Sequence, residues 1–93
     1  MIKSFRNVAA EAAWQRRFIK GVPKEIMRVA YRKLMQIQNA RSLTDLRAPP
    51  GNRLEALTGN RKGQHSIRIN DQWRVTFRWT DSGPAEVDIR DYH

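Results

Sequence analysis

Residues 64–91 read QHSIRINDQWRVTFRWTDSGPAEVDIRD, and the side-chain period of this stretch decides the fold. His65, Ile67 and Ile69 alternate with Gln64, Ser66 and Arg68. Trp73, Val75, Phe77 and Trp79 alternate with Arg74, Thr76 and Arg78, and Ala85, Val87 and Ile89 with Glu86, Asp88 and Arg90. A period of two places each apolar set on one face of a strand, so the stretch predicts three consecutive strands. A slip of one residue would turn an apolar set outwards, which restricts the hairpin registers. A three-residue loop at Asn70, Asp71 and Gln72 pairs Ile69 with Trp73, Ile67 with Val75 and Arg68 with Arg74. A five-residue loop from Thr80 to Pro84 pairs Trp79 with Ala85, Phe77 with Val87, Arg78 with Glu86 and Arg74 with Arg90. Under these registers Arg68, Arg74 and Arg90 form one row across three strands, on the face away from the core. Such a row either stands solvated or receives an anion.

Upstream the period is helical. Asn7 is a predicted N-cap, Glu11 lies where the helix dipole favours an acid, and the alanines at 9, 10, 12 and 13 carry a first helix to about Ile19, ended by Gly21. Pro23 fits the first turn of a second helix, in which Ile26, Val29, Ala30, Leu34 and Ile37 form one apolar stripe and Lys24, Arg28, Arg32 and Lys33 occupy the remainder. Ser42 to Asp45 predicts one more short turn, and Pro49, Pro50 and Gly51 are the strongest break in the chain. Ile2 to Phe5 predicts a short N-terminal strand, and Arg53 to Leu57 a further strand ended by Thr58, Gly59 and Asn60. The expected architecture is a compact single α+β domain over 1–93, with two N-terminal helices packed on an antiparallel sheet of about four strands.

Composition narrows the function classes. The 93 residues carry 18 Lys or Arg against 9 Asp or Glu, for a formal charge of +9, which favours polyanionic partners. Residues 1–50 hold most of that surplus, whereas acids and bases nearly balance over 51–93. The absence of Cys excludes thiolate chemistry and disulfides, and two His cannot build a multi-histidine metal centre. Charges interrupt the first twenty residues, so neither a signal peptide nor a bilayer span is expected, and the protein is expected to be soluble and cytoplasmic.

The stretch Arg90, Asp91, Tyr92, His93 gathers the side chains that phosphodiester cleavage uses. An imidazole protonates a leaving oxygen near neutral pH, a guanidinium neutralises developing phosphate charge, and a phenol stacks or hydrogen-bonds. His65 falls on the apolar face, where a hydrogen-bonded core histidine is expected, and Trp73, Phe77 and Trp79 are core. Arg61 and Lys62 lie in a turn beside Gly63, open to RNA or to solvent.

The opening MIKSF, the run RLEALTGNRKGQHSIRINDQWRVTFRW and the terminal DYH resemble the HigB toxins of bacterial toxin–antitoxin modules, especially the GraT-like branch of the RelE/ParE superfamily. The resemblance rests most firmly on the segments Leu54 to Arg61, Trp73 to Phe77 and Asp91 to His93. It implies a RelE-like fold and a metal-independent, cofactor-free, ribosome-dependent endoribonuclease that cuts mRNA in the A site by 2′-hydroxyl attack. It further implies Arg74 as the phosphate-contacting arginine, Asp91, Tyr92 and His93 as the C-terminal catalytic group, and His93 as general acid. Beside these, the strand register offers Arg68 and Arg90, and the turn Arg61 and Lys62, as RNA- or phosphate-binding residues. Glu55 and Thr58 stand where the commoner pattern has His and Lys, and Glu55 resembles the general base of YoeB-like relatives. The implied partners are the ribosome with its mRNA and a HigA/GraA-like helix-turn-helix antitoxin, through which alone operator DNA is reached; no membrane is implied. A non-enzymatic ParE-like inhibitor and a nucleic-acid-binding regulator of the same fold are the alternatives.

Overall fold

The computed structural model describes residues 1–92. Its elements run α1 (Val8–Trp14), α2 (Lys24–Asn39), α3 (Leu43–Arg47), β1 (Glu55–Ala56), a 3-10 turn (Gly59–Arg61), β2 (Gln64–Arg68), β3 (Trp73–Thr80) and β4 (Gly83–Asp91). The four strands pair in chain order as one antiparallel meander. Ile67, Val75, Phe77, Val87 and Ile89 on one face meet Ala10, Ala13, Ala30, Leu34 and Ile37 from the helices, all essentially excluded from water. Two amphipathic elements, each apolar on one side only, thus bury their apolar sides against each other.

The first hairpin follows the expected register, with Ile67 opposite Val75 and Arg68 opposite Arg74. Asn70 fixes its loop, since Oδ1 accepts the amides of Gln72 and Trp73, both at 2.8 Å. The second hairpin differs from the expectation. Thr80 pairs with Gly83, so the loop is the two residues Asp81 and Ser82, and Trp79 faces Pro84 while Arg78 faces Ala85. The extra residue on β4 is absorbed by a bulge at Glu86, which has φ 52°, between the Arg78 and Thr76 pairings. Below the bulge the expected pairing is restored, and Arg74 lies opposite Arg90. Arg78 and Glu86 keep their ion pair, at 3.0 Å.

Helix α1 stops at Trp14, well before Gly21. The amide of Arg17 donates to Ala12 O at 2.8 Å and that of Arg16 to Ala13 O at 3.0 Å, the hydrogen-bond pair of a Schellman motif. Arg16 occupies the left-handed position, φ 60°, that glycine usually takes there. Pro23 is the N-cap of α2 rather than a residue of its first turn. The stretch Arg53–Leu57 yields only a two-residue strand, because Arg53 is itself left-handed, φ 47°. The N-terminal segment forms no full strand: Phe5 makes one parallel bridge to Val87, flanked by Lys3 N to Pro84 O at 2.8 Å and Arg6 N to Val87 O at 2.7 Å.

Asn7 joins the two ends of this arrangement. Its Oδ1 caps α1 by accepting the Ala10 amide at 3.0 Å, and its Nδ2 donates to Ile89 O at 2.9 Å. Asn7→Ala removes the cap and leaves a strand carbonyl without that donor, so we expect a loss of about 2 kcal/mol in urea unfolding, with an unchanged denaturant slope.

Candidate nucleic-acid interface on the open sheet face

The face of the sheet opposite the helices carries two polar layers. Cross-strand pairing sets Glu55, Ser66, Thr76 and Asp88 side by side, and the next layer holds Arg68, Arg74 and Arg90. The predicted arginine row is therefore present, but each member meets a carboxylate. Arg68 reaches Asp71 at 2.5 Å, Arg74 reaches Glu55 at 3.0 Å and Arg90 reaches Asp88 at 3.3 Å. The hydrogen bond and charge of Arg68 hold the Asp71 carboxyl below the usual carboxylate range.

Arg74 is the most constrained of the three. Nη1 donates to Glu55 Oε1 and Nη2 to Arg53 O at 2.7 Å, which the left-handed turn at Arg53 presents to it. Its side chain is 13% exposed against 58% for Glu55, so the guanidinium is held in place while the carboxylate stays open to solvent. Nε of Arg74 and Oγ of Ser66 are buried with no hydrogen-bond partner among the described residues. A fixed cation beside an accessible carboxylate can bind a phosphate oxygen and take a proton from a neighbouring hydroxyl.

The layer beneath is polar yet dry: Gln64, Ser66, Thr76 and Asp88 are all buried. Arg61 closes over it, with Nη2 donating to Gln64 and Thr76 at 2.8 Å each and to Asp88 at 3.3 Å. Asp88 also accepts from the Thr76 hydroxyl and from Arg90. Arg61 thus serves the sheet, whereas its neighbour Lys62 is exposed. The only sequence signal for this hub was an acid in mid-strand, flanked by Val87 and Ile89 and opposite a threonine.

At the strand end Asp91 pairs with Trp73 and so lies on the helix side of the sheet, opposite to Arg74. Its carboxylate accepts Gln72 Nε2 at 3.1 Å. The amide of Tyr92 donates to Gln72 O at 2.5 Å, and its ring is exposed. His93 lies outside the described residues. On the helix side, Lys33 Nζ donates to Asn52 Oδ1 at 2.5 Å, and Asn52 O accepts the Arg68 amide at 2.6 Å. Burial pushes the Lys33 amine below its usual value, and repulsion from Arg32 and Arg68 adds to this. His65 stacks on Phe77, with ring centroids 6.3 Å apart, but Nδ1 has no partner among the described residues, in contrast to the hydrogen-bonded histidine expected.

Helices on one face of a four-stranded antiparallel meander define the RelE-like fold. A chain of the "YoeB-YefM complex from Staphylococcus aureus" superposes on the whole protein and on 95% of that chain, with a TM-score of 0.63 at 22% identity. Within that fold, residues 3–93 match the family described as "RelE-like toxin of type II toxin-antitoxin system HigB", and the chain belongs to these HigB-like toxins. "Toxin HigB-1" of Vibrio cholerae serotype O1 is 48% identical over 60 residues, which are 64% of this chain and 63% of that protein. The match therefore spans a little under two thirds of the Vibrio relative. "Endoribonuclease HigB" of Proteus vulgaris is 28% identical over the full length of both chains.

Two measurements probe the two faces of the sheet, the first its polar layer and the second its apolar side. Asp88→Ala leaves the largely covered Arg61 without its carboxylate and should cost about 3–5 kcal/mol, whereas Arg90→Ala removes only the half-exposed partner of a carboxylate that Arg61 and Thr76 still hold, and should cost under about 1 kcal/mol in the same unfolding assay. Burial lowers the His65 pKa from 6.5, so below that pH the unfolded chain takes up the proton first and stability falls. A His65→Asn variant should show a shallower loss of unfolding free energy than the wild type between pH 7 and pH 5.

Proposed function

We propose that the protein is a metal-independent endoribonuclease that cleaves mRNA in the ribosomal A site, acting as the toxin of a toxin–antitoxin pair. The observation that carries this reading is the Arg74–Glu55 pair on the open face, 3.0 Å apart, in a chain whose Proteus relative is named an endoribonuclease. In the proposed reaction Glu55 accepts the proton of a ribose 2′-hydroxyl as O2′ attacks the neighbouring phosphorus. Arg74 neutralises charge developing on the phosphate oxygens, the P–O5′ bond breaks, and His93 donates the proton to O5′. The products are a 2′,3′-cyclic phosphate and a 5′-hydroxyl end. Tyr92 stacks on or hydrogen-bonds the substrate, Asp91 orients its neighbours, and Arg68, Arg90, Arg61 and Lys62 supply phosphate contacts.

Proton abstraction requires Glu55 to part from Arg74, and an incoming phosphate offers the guanidinium an alternative partner. Substrate binding itself therefore frees the base. A helix-turn-helix antitoxin is the proposed protein partner; the Staphylococcus structure is likewise that of a complex, whatever the fold of its second member.

Purified protein added to programmed ribosomes should cut mRNA at A-site codons, with free mRNA as control; intact message on the ribosomes would overturn the proposal. Glu55→Gln and His93→Gln should each lower single-turnover cleavage by about 10²–10⁴-fold without shifting thermal unfolding.

A further inference from the structure

Two sets of arginines differ in their partners. Arg61, Arg68, Arg74, Arg78 and Arg90 each reach a carboxylate. Arg16, Arg17 and Arg32 reach none among the described residues, and Arg28 has only the exposed Glu25 at 3.7 Å. These four surround a groove of about 450 Å³ between the end of α1 and the first half of α2. Ala13 and Met27, both buried, form its floor. Two rings stand beside them: Phe18, 47% exposed, with the Arg28 guanidinium and the Lys24 ammonium over it at 5.4 Å, and Tyr31, with Arg16 over it at 4.8 Å.

We infer that this groove binds RNA, taking one unpaired nucleotide with its flanking phosphates. Guanidinium forks match phosphate oxygens bidentately, and aromatic rings among cations are platforms for unstacked bases. An acidic peptide would use the arginines but leave the flat rings without a matching surface. The volume suits one nucleotide. Because α1 and α2 cover the sheet face opposite Arg74, the groove lies across the sheet from the proposed reaction. The protein then holds RNA on two sides, with mRNA against the sheet and ribosomal RNA against the helices.

The backbone supplies an independent sign. Arg16 adopts the left-handed conformation that glycine would take at lower cost, and that conformation sets Arg16 and Arg17 on the groove.

The inference deepens the endoribonuclease reading and rests on it for the source of the RNA. Its test is kept apart from cleavage by using the Glu55→Gln background throughout. The probe is a fluorescein-labelled decamer of oligoadenylate, followed by anisotropy over 50–200 mM KCl. Arg16→Gly and Arg32→Gln should each weaken binding several-fold and reduce the salt slope by about 0.7 for each phosphate that is no longer neutralised. Phe18→Ala should weaken it about tenfold with the slope unchanged. Arg16→Gly should unfold at the same or a higher temperature, which separates a weaker grip from a weaker fold. Arg47→Gln, which removes a charge outside the groove, should retain wild-type affinity. Wild-type affinity and slope in the groove variants would overturn the inference. So would groove variants that keep their affinity for RNA but no longer bind an oligoglutamate peptide, which would assign the groove to an acidic protein.

Discussion

Because a strand shows its side chains alternately to two sides, the burial of Val75, Phe77, Val87 and Ile89 under α2 dictates where every polar residue between them points. Arg74 and Arg90 face away from the helices because their neighbours must face them. The bulge at Glu86 serves the same constraint. A two-residue turn at Asp81 and Ser82 would leave β4 out of phase with β3, and one extra residue restores the parity before Thr76 meets Asp88. Core packing and the geometry of the open face are therefore two consequences of one register.

Charge on the open face is organised by depth. Asp88, almost wholly buried, gathers Arg61, Arg90 and the Thr76 hydroxyl, so the arginines above it rest on a paired carboxylate rather than on an apolar floor. Exposure then decides which pair can open: Glu55 lies at the surface with its guanidinium partner fixed beneath it. A pair with one anchored and one exposed member exchanges partners more readily than one buried on both sides. The cations of residues 1–50 have few comparable carboxylates, and that half of the chain, α2 and the segments that flank the helices, carries most of the net charge of +9.

Much of this was legible in the sequence because it depends on period and parity. The alternation through 64–91 gave three strands, the correct first hairpin and the row of Arg68, Arg74 and Arg90. The apolar stripe of α2 gave its packing face, with Ile26, Ala30, Leu34 and Ile37 buried as expected. What escaped depends on tertiary geometry that no local pattern encodes. The bulge at Glu86 and the Schellman end at Arg16 place non-glycine residues at positive φ, where turn rules look for glycine. The role of Arg61 required Gln64, Thr76 and Asp88 to be brought together from three strands. Family resemblance singled out Glu55, but only the fold sets it against Arg74.

Asn7 caps the first helix while holding Ile89, 82 residues further along, and Ser4 accepts the amide of Glu86 across the same interval. Neither contact can form until β4 has been synthesised and has cleared the exit tunnel, and loops of that length close late in folding. Arg90, the third member of the arginine row, arrives with the same strand. The open face is thus incomplete throughout the synthesis of the residues that build it. Whatever chemistry this face performs therefore waits on the strand that is made last among the described elements.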